Sequence, residues 1–182
     1  MEADWEFEAG GDAPVIDAHW PGFVDLRHSP ERARQLPEAI QFPALAQALA
    51  DLNAPQSPVW TSKCDFWPHL EADEFDADEL DAPAGCAIHA MGCYIDLLPK
   101  GDRQWSLPAN AAAACKSLCS RLQAVPLRSC RTDLVIRRAA LAPELMDLGI
   151  TAYLTCCGAT ESEACVALQA ALAAFAGALC VH

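Results

Sequence analysis

Hydrophobic and polar residues alternate with two different periods along the chain, and these periods predict four strands and two helices in its second part. Alternating or unbroken apolar positions over residues 59–67, 86–98, 127–138 and 148–157 predict β-strands. Apolar residues at three- and four-residue spacing after Ser106 and after Thr160 predict two helices. The predicted order is therefore strand, strand, helix, strand, strand, helix.

The start of the last helix carries a specific local signal. Thr160 and Glu163 form a capping box, in which the hydroxyl and the carboxylate accept hydrogen bonds from backbone N–H groups that the first helical turn leaves unpaired. Gly158 ends the preceding strand. The helix that follows shows one apolar stripe, which consists of Leu168, Leu172, Phe175 and Leu179.

This ββαββα order equals the ferredoxin-like order βαββαβ with its last strand moved to the front. The right-handed rule for crossover connections, together with this analogy, then predicts a four-stranded antiparallel sheet, in the order first, second, fourth, third, with both helices on one face. The expected fold class is α+β, in a permuted ferredoxin-like arrangement. The helices leave the other side of the sheet uncovered, and we call that side the open face.

The first part of the chain has a different character. Residues 1–12 hold five carboxylates and no basic residue, and we expect them to form a disordered acidic tail. Residues 13–56 combine several prolines with a short apolar stripe, which predicts a helical N-terminal arm packed on or beside the sheet. We expect residues 13–182 to form a single α+β domain, with the ββαββα core over 57–182.

Strict alternation assigns each strand residue to the helix-covered face or to the open face. It places apolar residues on the helix-covered face, among them Trp60, Cys64 and Cys93, whereas Thr61 falls on the open face. The open face otherwise receives charged residues and the only two tyrosines of the chain. The predicted ligand-binding residues are Lys63, Asp65, Tyr94, Asp96, Arg131, Asp133, Arg137 and Tyr153.

Two interpretations of the open face remain. In the first, the face is solvated, or it is covered by residues 13–56 or by a second subunit. Its charges then pair with one another, as Lys63 with Asp65 or Asp96 and Arg131 with Asp133.

In the second interpretation, the open face is a ligand site. The two tyrosines form a platform, and Arg131 and Arg137 bind a small anion such as a carboxylate through paired hydrogen bonds. Asp96 or Asp65 beside Lys63 moves a proton. Two tryptophans, Trp20 and Trp67, are candidates for the rim of such a site.

Charge narrows the range of partners. The 182 residues include 12 Lys and Arg against 25 Asp and Glu, which gives a net charge of −13. Such a chain repels phosphate groups, so we expect neither a nucleic-acid nor a membrane partner. The apolar run over residues 164–181 favours a buried helix over a membrane span, and the acidic N-terminus is unlike a secretory signal. We therefore expect a cytoplasmic protein.

The chain has ten cysteines but no Cys-x-x-Cys pair. Without a sign of secretion, we expect reduced and mostly buried thiols. Cys86, His89 and Cys93 combine metal-binding residue types, but a strand would point Cys86 and His89 to opposite faces and separate His89 from Cys93 by about 13 Å. We therefore predict no metal and no cofactor.

The sequence leaves open whether the protein is an enzyme, because it contains no nucleophile elbow, no phosphate-binding loop and no dinucleotide fingerprint. Our leading expectation is a soluble non-catalytic or accessory binding domain. It uses the open face for self-association, for a partner protein or for a small anionic ligand. The alternative is a small-molecule enzyme that applies acid–base chemistry to an anionic substrate.

Overall fold

The computed structural model describes residues 1–8, 13–69, 75, 78–80, 82, 89–101, 105–142 and 145–180. The fold class is α+β, with a mixed sheet of six strands and several helices. The strands are β1 (Glu2–Phe7), β2 (Ile16–Asp17), β3 (Val59–His69), β4 (His89–Pro99), β5 (Cys130–Ala142) and β6 (Leu145–Gly158). The helices are a 3-10 helix (Pro30–Gln35), α1 (Pro37–Gln41), α2 (Pro43–Asn53), α3 (Pro108–Gln123) and α4 (Glu161–Cys180).

The sheet has the strand order β1-β5-β6-β4-β3, and the short strand β2 also pairs with β5. Strands β3, β4, β6 and β5 are antiparallel neighbours in the order that the sequence predicts. Strands β1 and β2 both run parallel to β5. The prediction of a four-stranded, purely antiparallel sheet is therefore wrong, because the N-terminal segments add parallel strands at one edge.

Strand β1 replaces most of the predicted disordered tail. Residues 2–7 pair with β5, and Ala3 is buried. The Nζ atom of Lys116, in α3, lies 5.9 Å from the centre of the Trp5 ring. Ala3 and Trp5 bury one side of the strand while Phe7 is exposed, and acidic residues at even positions line the other side. The apolar burial and the nearby arginines of β5 offset the repulsion that would keep an isolated acidic tail disordered. Residues 9–12 lie outside the described residues.

Three helices cover one face of the sheet. Helix α4 lies centrally, on β6 and β4, with α2 on one side and α3 on the other, above β1. Apolar side chains from both layers form the main core, with Phe175 of α4 and Ile95 of β4 fully buried. The predicted capping box is confirmed, since Glu163 N donates to Thr160 Oγ1 at 3.2 Å and Ala159 N donates to Glu163 Oε2 at 2.8 Å.

Among the described residues, α4 is the one helix long and apolar enough to cross a membrane by length and composition, and 39% of its most apolar window is buried. Its contacts with β6, β4 and α2 place it in a compact domain. Those contacts account for much of its apolar character.

A bulge in β3 changes which residues face the helices. Thr61 pairs with Leu97 and Cys64 pairs with Ile95, so three steps along β3 match two along β4. Thr61 therefore lies on the helix-covered face, where Asn53 donates to its hydroxyl at 2.7 Å. Trp60 lies on the open face instead, and the predicted sides of Trp60 and Thr61 are both wrong, because strict alternation takes no account of an inserted residue.

The N-terminal arm divides between the two faces. Its beginning, with Ile16, Ala18 and Phe23, packs on Trp60 and Leu98 and covers one end of the open face. Its later part, the 3-10 helix with α1 and α2, joins the helix-covered side. The arm therefore closes part of the open face and leaves the middle of the face uncovered by these residues.

Candidate functional site

A row of side chains crosses the middle of the open face. Asp65 of β3 pairs with Tyr94 of β4, Tyr94 pairs with Tyr153 of β6, and Tyr153 pairs with Asp133 of β5. Asp4 of β1 pairs with Asp133 and continues the row. Cross-strand partners project from the same face at about 4.8 Å per strand. Two tyrosines therefore occupy the centre of the row, and carboxylates occupy both ends.

The aromatic rings near the centre of this row contact one another. The Tyr94 and Tyr153 ring centroids lie 6.1 Å apart, and the Trp67 and Tyr94 centroids also lie 6.1 Å apart. All three side chains are half-buried. Rings at this separation and tilt form a contact surface that a flat or cationic group can cover. We call Trp67, Tyr94 and Tyr153 the aromatic row.

Asp96 lies beside the aromatic row and is the most buried carboxylate there, with 8% of its surface exposed. Thr151, directly opposite on β6, donates a hydrogen bond to its Oδ1 at 2.7 Å. Desolvation raises the pKa of Asp96, while the Thr151 hydrogen bond and the charges of Arg137 and Lys63 oppose that rise. Asp96 is therefore a carboxyl group that can hold a proton more readily than an exposed one.

The two arginines of β5 bind acidic and phenolic groups of this chain. Arg131 Nε donates to both oxygens of Asp133 at 2.9 Å, and its Nη1 lies 2.7 Å from Glu79 Oε2. Arg137 Nη1 donates to the Tyr153 hydroxyl at 2.8 Å, and its Nε donates to Glu8 Oε2 at 2.5 Å. The guanidinium groups are thus held in place by internal partners.

Lys63 lies in the β3 bulge at the arm side of the site. It is exposed, and its Nζ lies 5.7 Å from the centre of the Trp20 ring. Trp20 Nε1 in turn donates to Ser62 O at 3.5 Å, so the arm holds the bulge from above. The charge of Lys63 opposes the rise that burial causes in the pKa of Asp96.

Two small apolar clusters bound the aromatic row. At one end the arm residues pack on Trp60 and Leu98. At the other end Phe75, Leu80 and Ala82 pack on Ala90 and Cys157. Both clusters add a layer above the sheet, and we call the part of the open face between them, with the aromatic row at its centre, the trough.

The structure brings the predicted ligand-binding residues together on the open face. Asp65, Tyr94, Asp133 and Tyr153 form one row, while Asp96, Arg131 and Arg137 lie two or four residues from members of that row on the same strands. Lys63 approaches from the bulge. Whether this set binds a ligand stays a prediction.

Sequence reasoning missed several contributors to this face. The acidic residues of β1 lie on it, and Glu8 and Glu79 bind its arginines. The period-two pattern of residues 2–8, acidic at even positions and apolar at 3, 5 and 7, is the signal that could have identified them. For Glu79, in a long acidic loop, the sequence gives no comparable signal.

Neither the metal hypothesis nor a reactive thiol gains support from the placement of the cysteines. Cys86 lies outside the described residues, His89 is exposed at the start of β4, and Cys93 is buried on the helix-covered face. No group of three or more His, Cys, Asp or Glu side chains in the described part of the chain is arranged to hold a metal ion. Burial raises the pKa of Cys64 to about 12 and also raises that of Cys93, which disfavours the thiolate form.

The fold and this face together define a two-layer α+β domain with an aromatic and acidic trough on the side of the sheet opposite its helices. Comparisons with protein-family models, with curated proteins and with solved structures find no match to the chain.

Proposed function

We propose that the protein is a cytoplasmic, non-catalytic binding domain that receives its ligand or partner in the trough of the open face. The observation that carries the proposal is the aromatic row, in which Trp67, Tyr94 and Tyr153 contact one another while staying half-buried. Aromatic rings placed among fixed polar groups in a depression are typical of binding sites. The acidic charge of the chain supports the same proposal, because it disfavours nucleic acid as the partner.

The kind of partner follows from what the arginines already bind. A small anionic ligand would have to displace Asp133 and Glu79 from Arg131, or Glu8 from Arg137. Each displacement leaves a carboxylate without its partner and so weakens binding. A small organic ligand or the side chain of a partner protein that covers the rings keeps these pairs intact. A second copy of the chain bound at this face is the remaining form of the proposal.

Acid–base catalysis is the second candidate function, and Asp96 is the observation that favours it. A carboxyl group whose pKa burial raises is suited to give and take a proton. Proton transfer also requires a reacting substrate group aligned within hydrogen-bond reach of Asp96, whereas covering the aromatic row requires no such alignment, and this ranks catalysis below binding. Incubation with metabolite mixtures, followed by NMR, should show turnover that Asp96→Asn abolishes if the second candidate is correct.

A thermal-shift screen of a metabolite library tests the binding proposal. The wild type is compared with the double variant Tyr94→Ala, Tyr153→Ala and with the control Val166→Ala, whose side chain is 63% exposed on α4, on the opposite layer. Ligands of the open face should stabilise the wild type and the control but not the double variant. Sedimentation of the same three proteins detects self-association through the face. Ligands and self-association that both ignore the double substitution would contradict the proposal.

A further inference from the structure

We infer that the group bound in the trough is an ammonium cation, held over the aromatic row by the Tyr94 ring and the Asp96 carboxylate. This inference rests on the proposed function, because it names the chemistry of the ligand for the same trough. It reverses the sign of charge that the arginine pair suggests from sequence alone.

The open face carries more acidic than basic side chains. Strand parity places the acidic residues at positions 2, 4 and 6 on the open face beside β5, and Glu8 joins them by its bond to Arg137. Asp65, Asp96 and Asp133 add carboxylates on three further strands. Against these stand Lys63, Arg131 and Arg137. Carboxylates outnumber bases about two to one, so the potential in the trough attracts a cation.

The two arginines of the open face already bind acidic and phenolic groups of this chain. Arg131 lies between Asp133 and Glu79, and Arg137 lies between Glu8 and the Tyr153 hydroxyl. The Arg137 guanidinium also lies 5.5 Å from the Tyr153 ring centre, so that ring already has a cation beside it. The neighbouring Tyr94 ring lies between Trp67 and Tyr153, and it is the ring over which the bound ammonium cation would lie.

Asp96 lies close to Tyr94 on the open face. Tyr94 and Asp96 are two residues apart on β4 and project from the same face. Asp96 is more than nine-tenths buried, and the hydrogen bond that the structure gives its carboxyl group comes from Thr151 to Oδ1. Its second oxygen is the acceptor that an N–H or N-methyl group above Tyr94 would approach. Arg137 and Lys63 act on Asp96 through their charges, but the hydrogen bonds of Arg137 go to Glu8 and Tyr153, and Lys63 Nζ lies over the Trp20 ring. A cation in direct contact with a buried carboxylate gains more than a distant one, because little water screens the attraction.

Two sources can supply this group, a free amine or a lysine side chain of a partner protein. The test uses one pair of probes for each source. Choline and its neutral isostere 3,3-dimethylbutanol represent the free ligand. A short lysine peptide and the same peptide with an acetylated lysine represent the partner protein. Benzoate is the anionic probe.

Binding is followed by NMR of the tyrosine and tryptophan ring protons at about pH 8, where carboxyl groups ionise. We expect choline, the lysine peptide or both to shift the Tyr94 and Tyr153 signals, with affinity roughly tenfold above that of the matched neutral probe. Asp96→Asn should remove about that tenfold preference and leave the neutral probe unchanged. Tyr94→Leu should weaken both members of each pair, and Val166→Ala should weaken neither.

The outcomes separate the two proposals. If benzoate or the neutral probes shift the same ring signals as strongly as the cations, the trough is a binding site and the ammonium inference is overturned. If cations bind equally well to Asp96→Asn, the carboxylate has no part in recognition and the inference is also overturned. If none of the probes and none of the screened metabolites perturbs these rings, and the Tyr94→Ala, Tyr153→Ala variant self-associates as the wild type does, the proposed function itself fails.

Discussion

Thr151 and Asp96 face each other across β6 and β4, and the threonine hydroxyl donates a hydrogen bond of 2.7 Å to the aspartate. Both side chains are buried, whereas the neighbouring Tyr94 and Tyr153 are half-buried and Asp65 is exposed. A hydroxyl donor supports the charged form of the carboxyl group, but a single neutral hydrogen bond offsets only part of the free energy of removing a carboxylate from water. The site therefore keeps a destabilising charge beside the aromatic row.

The first prediction concerns the pH dependence of stability. Because burial raises the folded-state pKa of Asp96 above its unfolded value near 3.9, the protonated group favours the folded protein. That contribution is complete below about pH 4 and is lost as the pH rises through the folded-state pKa. Asp96→Asn, which keeps an acceptor for Thr151, should therefore gain stability over the wild type as the pH rises, by about 1.4 kcal/mol per unit of pKa shift.

Urea unfolding of both proteins across this pH range measures the effect. The matched control is Asp65→Asn, which removes one carboxylate from an exposed position on the same face. A stability difference between Asp96→Asn and wild type that stays constant with pH, or falls, would contradict the prediction.

The second prediction tests strand β1. Ala3 is 7% exposed and pairs with Thr132 of β5 on the helix-covered side. Ala3→Asp would bury a carboxylate there and should destabilise the protein by about 3 kcal/mol. Ala13→Asp introduces the same side chain at an exposed position and should change the unfolding free energy by less than about 0.5 kcal/mol. Equal effects of the two substitutions would show that residues 2–7 are not bound to the sheet.

The parts of the fold that sequence could predict are those where one local pattern dominates. The capping box at Thr160 and Glu163 is confirmed because both of its bonds form within one turn. The order of β3, β4, β6 and β5 agrees because the order of elements along the chain, with the right-handed rule for crossover connections, allows few sheet arrangements. In contrast, the parallel pairing of β1 with β5 joins residues more than 120 positions apart, and no local pattern specifies such a partner.

The candidate site shows the same division. Tyr94, Asp96, Arg131 and Tyr153 could be placed on one face because period-two alternation holds along their strands. Trp60 could not, because one inserted residue in the β3 bulge reverses the alternation on its far side. The internal partners of the arginines were also beyond the sequence, since Glu8 and Glu79 come from distant segments. Those partners decide the sign of charge that the trough favours.

The third prediction concerns the thiols. Of the nine cysteines that the structure describes, six are buried, whereas Cys64, Cys165 and Cys180 are half-buried. Burial raises the pKa of Cys64 to about 12, with further contributions from Glu38 and Asp65, so its thiolate should be scarce. In a Cys86→Ser background, which removes the one thiol outside the described residues, we expect a thiol reagent to label Cys165 and Cys180 first.

The remaining thiols should react only on unfolding. Mass spectrometry of the labelled protein identifies the modified positions, and Cys165→Ser should remove one equivalent of fast labelling. Rapid labelling of Cys93 or Cys156 in the native state, or disulfides in protein purified without reductant, would contradict the burial that the structure gives them.

The last prediction concerns the arm at the end of the open face. Gly149 of β6 lies under Ile16, and a Cβ added at Gly149 would lie 2.7 Å from Ile16 Cδ1 and 3.1 Å from the Leu97 carbonyl oxygen. Gly149→Val should therefore displace the arm and destabilise the protein by about 2 kcal/mol, with faster proteolysis within residues 13–23.

Two further variants make this prediction specific. Gly177→Ala adds a methyl group where nothing lies within 4 Å, and it should stabilise α4 by about 0.5–1 kcal/mol.

Ile16→Ala combined with Gly149→Ala should be less destabilising than the sum of the two single changes, because the smaller arm residue makes room for the new methyl group. If the free energies of unfolding are additive within error, Ile16 and Gly149 are not in contact, and the arm does not close this end of the trough.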